Sequence, residues 1–212
     1  KQCLRTLAAA MARGGRARSV AACGACVGLL LRERLAPLAF HLFRDFPKDG
    51  ADSLARAWKT ALGAQIVYQR NFLDIAAACA RRGIPVLPLK GLYLAEKIYP
   101  APGTRPMSDL DLLVPAARFV EAGRVLRDLG FTCELDFLGR DNLPSGAAFQ
   151  HRDGIVNVDL HCTLLNPRGI RGLLMRPGQV QRLDAGAFVS MQEQEYTGRR
   201  LPVLSKPYFM LS

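Results

Sequence analysis

Apolar positions follow two rhythms along this chain. Over residues 20–46 and again over 52–82 they recur at intervals of three and four, the period of helices that bury one face. Pro37 is placed to open a second helix within the first stretch. In the second, Leu62, Ile66, Leu73, Ala77 and Ala80 mark the expected buried stripe, and Gly83 stands where a helix ends. Residues 46–50 read as a loop, and residues 1–18, rich in Ala and Arg, as an exposed helix or tail.

From residue 84 the rhythm shortens to that of strands. An apolar run over 84–89 leads through Lys90-Gly91 into a helical pattern to residue 99, and after a Pro/Gly turn a second strand is predicted over 110–114. Pro115 opens a helix with Phe119, Ala122, Leu126 and Leu129 on one stripe and Gly130 at its end. Strands are predicted over 131–138, 147–152 and 155–161, the last two joined by Asp153-Gly154, with a polar loop over 139–146. Residues 164–184, broken by five Pro and Gly residues, read as loop with short helical pieces. A last strand pair is expected over 187–191 and 200–204, and Ser205 is placed to cap a helix continuing past Ser212.

The chemistry lies in the strands. On 110–114, alternation puts Asp109, Asp111 and Leu113 on one face, so two carboxylates stand together at the start of a buried strand. Their repulsion is costly unless a divalent cation offsets it, and hard oxygen ligands suit magnesium. Asp159 projects from a later strand on the face opposite Val156, Val158 and Leu160, together with Asn157 and His161. It is either a surface residue or a third carboxylate of the same site. Gly91 either permits a tight turn or lets a phosphate approach the free amides of a helix start. Lys90 either meets that phosphate or packs by its stem, and Arg105 pairs either with the carboxylates or with phosphate. For His161 a supporting role is favoured over ligation, since magnesium prefers oxygen.

Lys90-Gly91, then Arg105, then Ser108-Asp109-Leu110-Asp111-Leu112-Leu113-Val114, with Asn71 upstream and Val158-Asp159-Leu160-His161 downstream, resembles the bacterial uncharacterised nucleotidyltransferase family of the polymerase β-type superfamily, over about residues 20–204. The resemblance implies an α+β fold: a small mixed β-sheet flanked by helices, preceded by an all-helical segment. It implies division into residues 1–82, 83–204 and a further helical segment from 205. It also implies transfer of a nucleoside monophosphate from an NTP, ATP by expectation, to a small-molecule or protein acceptor. Asp109, Asp111 and Asp159 would be the catalytic and metal-binding residues for Mg2+. Lys90, Gly91, Arg105, Ser108 and His161 would lie around the nucleotide. Lys-Gly here replaces the superfamily's Gly-Ser or Gly-Gly, which leaves one hydroxyl contact to phosphate unfilled. An inactive nucleotide-binding or partner-binding protein of the same fold is the alternative reading.

Composition narrows the partners. A chain of 212 residues, half hydrophobic and 22% charged, is globular in character. The start at Lys1 and the stop at Ser212 point to a piece of a longer protein. No run reaches the roughly 20 apolar residues of a membrane span, so a cytoplasmic protein with no membrane partner is expected. Net charge is +11, of which residues 1–34 carry +6, but no aromatic residues interleave with the basic ones and nucleic acid is not an expected partner. Cys23 and Cys26 form a Cys-x-x-Cys without a second pair at zinc-ligand spacing, and are read as small core residues.

Overall fold

A computed structural model describes residues 5, 9, 24–43, 48–134, 145–165, 177–196 and 198–205. The expectations for most of residues 1–18, for Cys23, for the strand beyond 134, the loop over 139–144 and the helix beyond Ser205 lie outside the described residues. The chain forms two compact units, one of Lys1–Val67 with Tyr93–Met107 and the other of Tyr68–Leu92 with Ser108–Ser212. The division at residue 82 is a separate, linear proposal about how the chain is assembled from modules.

The first unit is helical. α1 (Gly24–Arg32) and α2 (Ala36–Leu42, with Pro37 in its first turn) pack through Val27, Leu30, Leu38, Ala39 and Leu42 against Leu54 of α3 (Lys48–Ala80). α3 begins earlier than the expected loop allows. Gly50 is buried in it, and a Cβ there would stand 3.0 Å from a methyl of Val27, so glycine admits the close packing of the two helices.

The buried face of α3 also differs from the expected stripe. Leu54, Ala61, Gln65, Tyr68, Phe72, Ile75 and Cys79 face inward, whereas Ile66 is 56% exposed. Two polar residues sit in the true stripe because each reaches a distant partner. Gln65 Oε1 accepts from the Gly103 amide at 2.6 Å, and the Tyr68 hydroxyl donates to the Ser108 carbonyl at 2.6 Å.

The second unit is built on a five-stranded sheet. Its strands are β1 (Leu87–Pro88), β2 (Leu110–Leu113), β3 (Phe131–Thr132), β4 (Gly146–His151) and β5 (Asn157–His161), in the order β1-β2-β5-β4-β3. β2 and β5 run parallel and the other pairs antiparallel, so the sheet is mixed and the fold α+β, as expected. β1 is shorter than the apolar run over 84–89, in which Pro85 has no amide to give to a ladder.

α4 (Lys90–Lys97) follows β1, and a 3-10 turn (Ala116–Arg118) leads into α5 (Phe119–Asp128), which buries Phe119, Ala122, Val125 and Leu126. The hairpin between β4 and β5 turns at Gly154, whose φ of 73° is glycine's territory, and Asp153 accepts from the Ile155 amide at 2.9 Å.

Two expectations near the C-terminal end fail. Residues 177–189 form a continuous helix, α6 (Pro177–Val189), so residues 187–189 close a helix and do not open a strand. The strand lies later, at β6 (Gln192–Tyr196), paired with β7 (Arg199–Val203). Its first four residues, Gln-Glu-Gln-Glu, are polar on both faces, and its burial is confined to Tyr196, which packs edge-on against Phe72.

Candidate active site

The apolar residues of β2 and β5 decide which side chains stay out of the core. Leu110, Leu112, Val158 and Leu160 are at most 2% exposed, and alternation turns Asp111, Asp159 and His161 to the opposite face, each half-buried. Register completes the arrangement. Asp111 pairs with Asp159 and Leu113 with His161 across the parallel ladder. The Leu89 amide donates to the Asp111 carbonyl, and the Val114 amide to the His161 carbonyl, both at 2.9 Å. Beyond Asp111 the same face closes over Leu113, which packs with Leu87, Leu89, Leu164, Ala187 and Leu204.

His161 Nε2 lies 3.2 Å from Asp111 Oδ1. Among the described residues, one ligand atom each from Asp111, Asp159 and His161 falls within 4.8 Å of the others. Burial raises the Asp159 carboxyl above its ordinary range; the His161 charge opposes that rise, and the Asp111 and Asp109 charges add to it. Ionising Asp159 is therefore unfavourable in this setting, the condition a bound cation relieves. Carboxylate and imidazole donors at this spacing fit a divalent ion.

The other candidate residues fall around this group. Asp109, half-buried, precedes β2 and lies outside the Asp111, Asp159 and His161 group, although its charge is felt at Asp159. Ser108 is exposed, with Oγ 3.4 Å from Asp109 Oδ1. Lys90, also exposed, opens α4, and Gly91 follows it in the first turn. Arg105 belongs to the first unit, where its guanidinium lies 5.7 Å from the centre of the Tyr99 ring.

Two contributors went unread in the sequence. Tyr68, 5% exposed, fixes the Ser108 carbonyl immediately before Asp109, and Asn157 Nδ2 approaches the same oxygen at 3.5 Å. Gly146 faces His161 across the β4–β5 ladder, where a Cβ would stand 3.1 Å from Nδ1 of the imidazole and 3.0 Å from the Leu160 carbonyl oxygen. The run Gly146-Ala147-Ala148 signalled a close approach, but only the register shows to what. A cavity of about 270 Å³ opens here, lined by Ser145, Gly146, Ala147, Ala148, Asp159, His161 and Thr163. Behind it, the Asp184 carboxylate of α6 accepts from the Leu164 amide at 2.8 Å and anchors the chain as it leaves β5.

Residues 24–205 match the model of a family described as "Uncharacterised nucleotidyltransferase". No curated protein matches the chain. Among solved structures, the lincosamide antibiotic adenylyltransferase LnuA, bound to lincomycin, is similar at 16% identity and a TM-score of 0.43, over 67% of this chain and 83% of that one. The antibiotic-resistance factor ANT(2'')-Ia in solution is similar at 17% identity and a TM-score of 0.46, over 69% of each chain. The same protein in complex with adenylyl-2''-tobramycin gives 18% and 0.43, over 66% of this chain and 70% of that one.

Proposed function

The chain belongs to the uncharacterised nucleotidyltransferase family, and from that premise we propose that it transfers a nucleoside monophosphate from an NTP, with ATP the expected donor, to a small-molecule or protein acceptor in a magnesium-dependent reaction. One observation carries this reading: Asp111 and Asp159 are register partners on adjacent parallel strands, with the Asp159 carboxyl raised chiefly by burial. Two half-buried carboxylates held side by side have their natural complement in a cation.

In this reading Asp109, Asp111 and Asp159 hold the metal. Bound magnesium supplies charge neutralisation at the attacking and leaving oxygens of an in-line displacement. The acceptor oxygen forms its bond to the α-phosphorus as the bond to the bridging oxygen breaks and pyrophosphate leaves. The acceptor's proton passes to Asp159, whose carboxylate lines the cavity. The cavity reaching Asp159 supports approach of the acceptor from the β4 side. Gly91 and the amides at the start of α4 receive the triphosphate, Lys90 offsets its charge, and Ser108 adds a hydroxyl beside the metal-binding residues.

The test is pyrophosphate release with each NTP and magnesium, comparing wild type with Asp111→Asn and Asp159→Asn. Release is expected from the wild type and a loss of at least about 100-fold from either variant. Equal release from all three would remove the proposed site.

A further inference from the structure

The contact between His161 and Asp111 has the spacing of two neighbouring ligands on one ion. Two donors about 2.1–2.2 Å from a cation and at right angles to one another stand roughly 3 Å apart, close to the 3.2 Å between His161 Nε2 and Asp111 Oδ1. Asp159 places its own ligand atom within 4.8 Å of both, so three donors from two strands cluster on one face of the sheet.

The imidazole is built into this position. Its backbone lies between β2 and β4, paired with Leu113 on one side and Gly146 on the other. At residue 146 only glycine leaves the ring its room, since a Cβ would press on Nδ1 at 3.1 Å and on the Leu160 carbonyl at 3.0 Å. The ring is thereby directed with Nε2 toward Asp111.

A set of two carboxylates and an imidazole is not what magnesium selects. Imidazole nitrogen suits first-row transition ions, carboxylate oxygen suits both classes, and Mn2+ accepts the two together. We infer that His161 is a metal ligand through Nε2, and that the Asp111, Asp159 and His161 set binds Mn2+ in preference to Mg2+. This rests on the metal-dependent reading above, adds His161 to the ligands named there and puts Mn2+ in place of Mg2+ as the preferred ion.

The experiment is equilibrium binding of Mn2+ by electron paramagnetic resonance, with Mg2+ as competitor, on the wild type, His161→Ala, Gly146→Ala and Asp111→Asn with Asp159→Asn. Circular dichroism establishes that each variant is folded. The wild type is expected to favour Mn2+ over Mg2+ by about tenfold or more, and its bound Mn2+ to show a nitrogen coupling in electron spin echo spectra. In His161→Ala the coupling disappears and the Mn2+/Mg2+ preference falls about tenfold, while Mg2+ affinity changes little. Gly146→Ala keeps the imidazole but displaces it, and is expected to weaken the coupling and lower the same preference.

An unchanged preference in His161→Ala, or bound Mn2+ without nitrogen coupling in the wild type, would overturn the inference. If the paired aspartate variant then still loses both ions, the metal-dependent reading stands without it. If the wild type binds neither ion, both fall.

Discussion

Tyr68 donates its hydroxyl proton to the carbonyl oxygen of Ser108 across 2.6 Å, joining the middle of a 33-residue helix to the residue that precedes Asp109. A phenol at 5% exposure is otherwise an expensive group to bury, so the bond both satisfies Tyr68 and fixes the approach to β2. Tyr68→Phe keeps the ring and removes only the donor. A stability loss of about 1 kcal/mol is expected, a fall of about 2–4 °C in Tm for a chain of this size. If Tyr68 positions the strand that carries Asp111, kcat falls more than KM rises; an unchanged kcat with the same Tm loss would leave it a purely structural tie.

Asp159 should trade stability for activity. Because its carboxyl is raised, the folded chain holds that proton more tightly than the unfolded chain does. Stability contributed by the protonated form is thus complete below the ordinary carboxylate range, and is lost as pH rises through the raised value. At neutral pH without metal, Asp159→Asn is expected to resist urea better than the wild type while losing pyrophosphate release. A less stable Asn variant under those conditions would contradict the assigned cost of ionisation.

Gly103 is expected to tolerate no side chain. Its φ is 75°, and an added Cβ would stand 2.8 Å from Leu62 Cβ and 3.0 Å from Leu62 Cα. Its amide also donates to Gln65 at 2.6 Å, so the backbone has little room to retreat. Gly103→Ala combines left-handed backbone strain with backbone overlap, and a loss of about 2 kcal/mol or more is expected in urea unfolding. A loss under about 0.5 kcal/mol would show that the turn can relax.

Cys79 should be inert in the native protein. It is 1% exposed, and burial pushes its thiol up to about 11, with nearby Arg82 only partly opposing. Alkylation at pH 8 is expected to reach the half-buried Cys133 well before Cys79, which should label only on unfolding. Mass spectrometry of timed iodoacetamide digests distinguishes the two; equal rates would contradict the burial of Cys79. Alkaline stability follows from the same shift: the native thiol stays protonated where the unfolded one ionises, so this residue lowers stability as pH rises from about 9 toward 11.

The strands that carry the carboxylates were legible because burial on one face and polarity on the other is a local, period-two signal. Asp111, Asp159 and His161 could each be placed on the correct face from their immediate neighbours. Their meeting could not, since it depends on a parallel register between segments about 50 residues apart. Long range also explains the misread stripe of α3. Gln65 and Tyr68 look like surface residues until their partners, 38 and 40 residues onward, are known. β6 is expected too early because four of its five residues are polar, with burial confined to Tyr196, and α6 goes unread because Pro177 and Gly178 read as breakers although the helix runs through them.

β5 is the last strand of the large sheet to be made, and it is inserted between two strands already synthesised. Segments that must wait for so distant a partner close slowly, because chain entropy is spent before contacts repay it. While a ribosome is still delivering residues before 157, the nascent chain has one acidic strand and no counterpart. On the proposed metal-dependent reading, cation affinity would arise only after insertion, and metal uptake would be a clock for the final step of this sheet's assembly.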